Sequence, residues 1–536
     1  MNRSYSELIA MQVDGDKRDK TPRRMPILIS KKGRNVVALS LAASLISNVA
    51  TAENTETTSG KSHAPDTALK SKLTKKNSHA AKPEERPRPG AEGLRGASAL
   101  AQGAIAPKLA RRDIVAQPAQ DEASKFARFD KLRERGLEIN IPAPIDTVDQ
   151  DKTGLRSALA DVGVGYVAWT VNSYVQNVLP NAARSTIANQ LYNGQNPTLN
   201  TVNYVMVTYD LTRYGIPDGQ IIAGMEQQSW TWQPGGPDRL GINTLAYYQT
   251  FFDRALELKF GYLRNSHEFA GTLVGGNAGA SIFGPSSNVL YQGGMSSNAT
   301  PTPAVNLRYN FDRNFYTKLS VQRSISPDGV ATEVNQNPEG LYWRTPNTGV
   351  LALDETGYQT KAAPGVFDTW LRAGIGYNTS HYANIPFPKN PRGDENTFYY
   401  VAADRQFSQI APQGAASRGI YGGFSVMGAP PDQNKVTQYY EVRLYAKGLF
   451  DSRPTDQISI VATDTVWSNF AVQNALAAKN LAHSDSKAIS GTYTAHLGPG
   501  VYLNLGLTYI NNPTTITYTP QTGHALNFSA STSIFF

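Results

Sequence analysis

Cysteine is absent from all 536 residues. That excludes disulfides, thiolate metal sites and a cysteine nucleophile, and it suits export without oxidative folding. Long apolar runs are nearly absent too. The one candidate, Val36–Ile46, is too short to span a bilayer as a permanent helix. A mean hydropathy of −0.38, with 18% charged residues, is too polar for a bundle of membrane helices. Histidine is sparse, at seven. His63 and His79 lie in a polar N-terminal stretch, and "NSHEF" around His267 lacks the H-E-x-x-H spacing of a zinc hydrolase. No Ser–His or paired-carboxylate motif stands out, so the chain is expected to be neither an enzyme nor dependent on a cofactor or metal.

A surplus of charge is lacking where it would matter. The net +8 resides in residues 1–150, which hold 26 Lys+Arg against 18 Asp+Glu, whereas residues 151–536 hold 25 of each. A balanced main domain argues against nucleic acid as a partner. "MPILISKKGRNVVALSLAASLISNVATAE" has the basic, apolar and small-residue order of a secretory signal peptide cut after Ala52, with Met25 as the expected true start. Residues 53–120, rich in Lys, Pro and Ala, cannot bury enough surface to fold and are expected to be a disordered periplasmic tether. "DEASKFARFDKLRERGLE" predicts a short amphipathic helix with Phe126, Phe129 and Leu132 on one side, so residues 121–152 are taken as helix and linker. A secreted adhesin would need a folded passenger, and 53–150 is too poor in apolar residues to be one.

What the chain does have is alternation. In "ALNFSASTSIFF", Leu526, Phe528, Ala530, Thr532, Ile534 and Phe536 share one face, Asn527, Ser529, Ser531 and Ser533 the other, and Phe535 interrupts the polar row. "LELKFGYL" (256–263), "AVNLRYNF" (304–311) and "VYLNLGLTY" (501–509) repeat the pattern. Further runs lie near 203–213, 219–228, 315–323, 369–377, 397–406, 419–427, 438–448 and 457–463, separated by turn signals such as "PDG", "FDRN" and "SRPTD". Glu257, Lys259, Arg308, Lys318, Arg372, Glu441 and Arg443 fall on the polar rows, too many charges for a dry core. A closed sheet with hydrocarbon outside and water inside accommodates both rows and every backbone group. The expected fold is therefore all-β: a transmembrane antiparallel barrel over 153–536, of about 16 strands, since a water-filled barrel has roughly 16–18. Phe536 is the expected terminal signal for the barrel-insertion machinery.

Several spaced blocks resemble the carbohydrate-selective porins of the OprB family. "VTQYYEVRLYAKGLFDSRPTDQISI" (436–460) carries the family's Tyr-rich strand, Gly-Leu and Arg-Pro-x-Asp turn at Tyr439, Tyr440, Gly448, Leu449, Arg453, Pro454 and Asp456. "LKFGYLRNSHEFAG" (258–271), "SGTYTAHLGPGVYLNLGLTYINNP" (490–513) and "GLRSALADVGVGY" (154–166) are similar to further segments. The resemblance spans roughly 153–536. It departs in the Lys/Pro-rich tether and in "TTITYTPQTG", which stands where the family has a Gly-Gly turn. It implies a sixteen-stranded channel in the outer membrane of a Gram-negative bacterium, passing glucose and related sugars or polyols by diffusion. A general or ion-preferring porin is the alternative.

A sugar-selective constriction needs aromatic plates for C–H faces and fixed donors and acceptors for hydroxyls, with binding weak enough for release. Glu226, Gln228, Trp230 and Trp232 share one face of an extended segment, although the two indoles would also suit an interfacial belt. Arg264 and Glu268 lead into a long Gly/Ser/Asn-rich stretch, 265–303, either a solvated loop or one that folds into the bore. Arg308, Arg372, Glu441 and Arg443 are expected to face water in the lumen. Expected partners are mono- or oligosaccharides, outer-membrane lipid and the insertion machinery, with a homotrimer and a periplasmic contact through the tether left open.

Overall fold

The alternating segments become sixteen antiparallel strands in the computed structural model, which describes residues 125–536 apart from 181, 183–189, 233–234, 273–287, 298 and 519–522. They are β1 (Val164–Asn177), β2 (Thr198–Asp210), β3 (Gln220–Trp230), β4 (Gly241–Phe251), β5 (Leu256–Leu263), β6 (Thr302–Asn310), β7 (Phe315–Arg323) and β8 (Val350–Thr360), then β9 (Thr369–Asn378), β10 (Asn396–Gln406), β11 (Gly419–Gly428), β12 (Val436–Lys447), β13 (Gln457–Trp467), β14 (Asp485–Gly498), β15 (Val501–Asn511) and β16 (His524–Phe535). Each pairs with its sequence neighbours, and β1 pairs with β16 to close the barrel, from Trp169↔Phe535 to Asn177↔Asn527. Closure removes every sheet edge, so no ladder group is left without a partner strand. The leader and the 53–120 tether lie outside the described residues.

Side chains obey the two-sided pattern. On β12 Val442 is 64% exposed while its neighbour Arg443 is 1% exposed. Leu444, Ile460, Ile489 and Leu507 continue the apolar outer surface. Phe535, the break in the polar row of β16, turns inward and stacks near Trp169, whose ring lies 4.4 Å from that of Tyr204. The aromatic cluster therefore seals the seam where the first and last strands meet. Placing a cation on the outer row should be costly: Val442→Arg, mid-strand on β12, is expected to lower barrel stability by about 2–4 kcal/mol. Denaturant titration of the protein folded into lipid vesicles measures this.

The two rims differ. At the rim near the termini the connections are mostly short, such as 252–255, 311–314 and 499–500, the longest being 407–418. At the other rim the connections are long, above all 264–301 and 324–349. Short turns mark the periplasmic side of such barrels, and long loops the outer side.

The interior departs from an open, hydrated bore in two ways. Loop 264–301 folds inward, with Asn265 through Ala270 buried. Its Phe269, Val289, Leu290 and Met295 pack on inward residues of the far wall, Leu351 and Leu353 (β8), Phe398 and Tyr400 (β10) and Met427 (β11), as one apolar cluster. Gln292, in a short helix Asn288–Gln292, exchanges two hydrogen bonds with the backbone of Val436, at 3.0 and 3.2 Å. The loop is thus fastened across the lumen from β5 to β12.

The second departure is the N-terminal segment. Residues 125–130 are helical, and Phe129 and Leu132 are buried. The residues beyond do not behave as a linker in solvent but run into the barrel. The Leu132 carbonyl accepts from Thr208 on β2, and Gln220 on β3 donates to the Arg133 carbonyl at 3.0 Å. Gly165 on β1 has to be glycine, because a Cβ there would meet the Leu132 carbonyl at 2.5 Å. The segment climbs as far as Glu138, whose N–H donates to the His267 carbonyl of the inward loop at 2.7 Å. It then descends to Asp146, which accepts from the Gly500 N–H at 2.8 Å in the β14–β15 turn. A helix at Leu155–Asp161 leads into β1.

Candidate constriction site

Where loop 264–301 meets the N-terminal segment, opposite charges are packed together under cover. Lys259 (β5) lies 3.0 Å from Glu134 and 2.6 Å from Glu268. Arg264, just past β5, reaches Glu134 at 3.2 Å and donates from Nε to Thr244 Oγ1 on β4 at 3.0 Å. Lys318 (β7) contacts Glu138, lies 2.8 Å from Glu355 (β8) and donates to the Glu268 carbonyl at 2.6 Å. Glu138 also accepts from the Gly271 N–H at 3.0 Å. Burial, and then repulsion from Glu355, push the Glu138 carboxyl up to about 7, with Lys318 opposing. Between the segment and the inner wall remains a cavity of about 360 Å³, lined in part by Leu132, Leu137, Ile141, Tyr166 and Met206.

Six of the residues singled out from sequence fall on this side of the lumen. Glu226 is buried on β3 and accepts from Asn243 Nδ2 on β4 at 2.7 Å. Gln228, two residues on, is buried and donates to Asn200 Oδ1 on β2 at 3.3 Å. Trp230 continues this inward row at the end of β3, and the following loop folds over it, bringing Gly235 against the ring. Its ring meets that of Trp232 edge-on, with centroids 5.6 Å apart, and Trp232 Nε1 donates to the Gln190 carbonyl at 2.9 Å. The two indoles therefore stand at the inner side of the outer mouth. Arg264 and Glu268 belong to the charged group just described. Among the described residues, the buried polar atoms of this region that make no hydrogen bond include Asn200 Nδ2, Gln228 Oε1, Trp230 Nε1 and Arg264 Nη1, together with Gln190 Oε1, Ser266 Oγ and Asn306 Oδ1.

The other four are placed elsewhere. Arg308 is partly exposed, 3.6 Å from Glu257, with its guanidinium 4.0 Å from the Tyr316 ring centre. Arg372, Glu441 and Arg443 do point inward, but they do not face water as expected, because they are fully covered. Asp404 on β10 sits between the two arginines. It contacts Arg372 and accepts from Arg443 Nε at 2.7 Å, while Arg443 Nη1 donates to Glu441 at 2.6 Å. Arg372 Nε also donates to the Gly271 carbonyl at 2.7 Å, so this second charged group braces the inward loop.

Sequence reading missed Glu134, Glu138, Glu355 and Asp404 as members of these groups. Glu355 follows Leu351 and Leu353 on the same row, so apolar neighbours mask its lumen position. Asp404 stands opposite Trp370 of β9 and Gly423 of β11, and only pairing reveals Arg372 and Arg443 beside it. Nothing local marks Glu134 or Glu138, whose partners lie more than a hundred residues away.

The model described as carbohydrate-selective porin, OprB family, matches residues 207–523. Among solved structures, a high-pH structure of Pseudomonas putida OprB aligns with TM-score 0.60 at 17% identity, covering 72% of this chain and 97% of that one. The low-pH structure of the same protein gives TM-score 0.44 at 15% identity, with 73% and 98% covered. Salmonella typhi OmpF in complex with daunomycin gives 0.44 at 10% identity, with 70% and 99% covered. No curated protein sequence matches.

Proposed function

The chain belongs to the OprB family of carbohydrate-selective porins, and from that membership we propose that glucose and related sugars or polyols diffuse passively past a constriction built by β3, β4 and the start of loop 264–301. It is a sugar-selective channel of the Gram-negative outer membrane, and its family and fold are those of a channel.

One observation carries the proposed site: the buried polar atoms without partners along the lumen side of β2, β3 and the start of loop 264–301, among them Asn200 Nδ2, Gln228 Oε1, Trp230 Nε1 and Arg264 Nη1. Buried donors and acceptors left unmade are rare in proteins and call for a partner, water or ligand. A sugar supplies hydroxyls that serve as either. Arg264 Nη1 and the indole Nε1 of Trp230 offer donors, and Gln228 Oε1 and the Glu226 carboxylate offer acceptors. The flat C–H face of a pyranose would lie on the Trp230 and Trp232 rings. Cations and carboxylates alternate along this wall, so a neutral solute meets both signs of charge. Arg308, Arg372, Glu441 and Arg443 take a different part in this reading: Arg308 borders the path, and the other three brace the loop that narrows it. The same reading has insertion machinery recognise the exposed Phe536, with periplasmic contact through residues 53–120 and assembly as a homotrimer as its further expectations.

Liposome swelling across mono- and disaccharides tests this proposal. Faster swelling with glucose than with a disaccharide is expected, and equal rates set only by solute mass would defeat it. Replacing Trp230 and Trp232 with alanine should weaken sugar block of ion current by roughly two- to tenfold, as loss of an aromatic contact implies, without stopping assembly. Unchanged block would remove the indoles from the sugar path.

A further inference from the structure

We propose that residues 131–141 are a selectivity element of the channel, in which Glu134 and Glu138 supply the negative half of a constriction whose barrel-borne half is positive. The inference deepens the channel reading and rests on it.

The division of charge carries it. Among groups in direct contact, the strands and the inward loop contribute Lys259, Arg264 and Lys318 against Glu268 and Glu355, a surplus of one positive charge. Glu134 and Glu138 turn that into a surplus of one negative charge. Both acids come from a part of the chain that forms no strand. Glu134 is the carboxylate that Lys259 and Arg264 share, so its removal leaves Arg264 in contact with the neutral Thr244 hydroxyl and takes one of two carboxylates from Lys259. A covered cation stripped of its partner draws in an anion or water, because leaving it unpaired is too costly.

The segment is also fastened where a selectivity element has to be. Leu132 is seated against Gly165 and Thr208 on the wall, Arg135 Nη1 donates to the Asp218 carbonyl at 2.7 Å in the β2–β3 turn, and Glu138 is bonded to His267 and Gly271 of the inward loop. Gly136, with φ +80°, allows the backbone to turn between the two acids. Fixed in this way, Glu134 and Glu138 lie just under the surface of the constriction, at 3% and 5% side-chain exposure, and act on passing ions through their field, while the bulk of the segment narrows the bore between the periplasmic mouth and the loop.

The test is ion selectivity of the full mature chain in planar bilayers under a KCl gradient. It is run near pH 8, where the Glu138 carboxyl, pushed up to about 7, is ionised. E134Q/E138Q keeps the shape of the segment and should lower the cation-to-anion permeability ratio about fivefold or more, as expected when two fixed charges leave a narrow pore. An unchanged ratio in the assembled double variant overturns the proposal. If the double variant does not assemble, a mature chain beginning at residue 142 carries the test. A shift toward anions with larger conductance supports the proposal, and the parental ratio and conductance overturn it. Glucose-driven swelling by the unaltered chain is scored separately, so failure of the sugar reading and failure of this one give different results.

Discussion

Asp404→Ala is expected to cost the folded barrel about 3–5 kcal/mol, the range for stripping one partner from a buried ion pair. Asp404 is the carboxylate that Arg372 and Arg443 share, and all three side chains are at most 3% exposed. Without it, Arg443 retains Glu441 and the Ser425 hydroxyl, but Arg372 is left with two backbone carbonyls and the Trp370 ring and no anionic partner. The loss should appear as a lower denaturant midpoint in lipid vesicles and less heat-modifiable folded band on gels. The damage should spread to the inward loop, because Arg372 holds the Gly271 carbonyl. A midpoint equal to that of the parent would show that the group is hydrated and dispensable. Replacing Arg372, Asp404 and Arg443 together with apolar residues of similar volume should be far milder than the single change, since no unpaired charge then remains.

The barrel was legible because its solvent changes from one side of each strand to the other, which stamps a period of two on the sequence. β12 and β15 show it plainly, with Val442 and Leu507 outside and Arg443 and Thr508 inside. β1, β4, β8 and β14 were less visible. On β8, Leu351 and Leu353 turn inward to meet Leu290 and Met295 of the loop, so that face reads as oily although it is lumenal. Phe535 looked like an error in its row for the same reason, until the stack with Trp169 explained it. Glu226, Arg264 and Glu268 drew attention in the sequence because they stand on or beside alternating strands. Glu134 and Glu138 did not. Their segment carries the composition of an exposed linker, and only tertiary contact with Lys259, Arg264 and Lys318 gives it a place.

Arg264→Met should weaken block of ion current by glucose roughly ten- to a hundredfold, the equivalent of losing a charge-assisted hydrogen bond of about 1.5–3 kcal/mol. Among the described residues of this charged group, Arg264 is the cation with a buried N–H still unmade, so it has a donor to offer a passing hydroxyl. It also holds Glu134 at 3.2 Å, and the variant could therefore act by loosening the segment. Glu134→Gln separates the two routes: it keeps the guanidinium and removes its partner. If E134Q leaves glucose block intact while R264M abolishes it, the donor itself meets the sugar. If both weaken block equally, the segment carries the effect. Arg264→Lys retains the charge without the planar fork and should preserve ion selectivity while restoring only part of the block. Glucose block unchanged in assembled R264M would place the sugar path away from the Arg264 guanidinium, leaving Lys259, which also joins the wall to Glu134 and Glu268, as the remaining cation on β5.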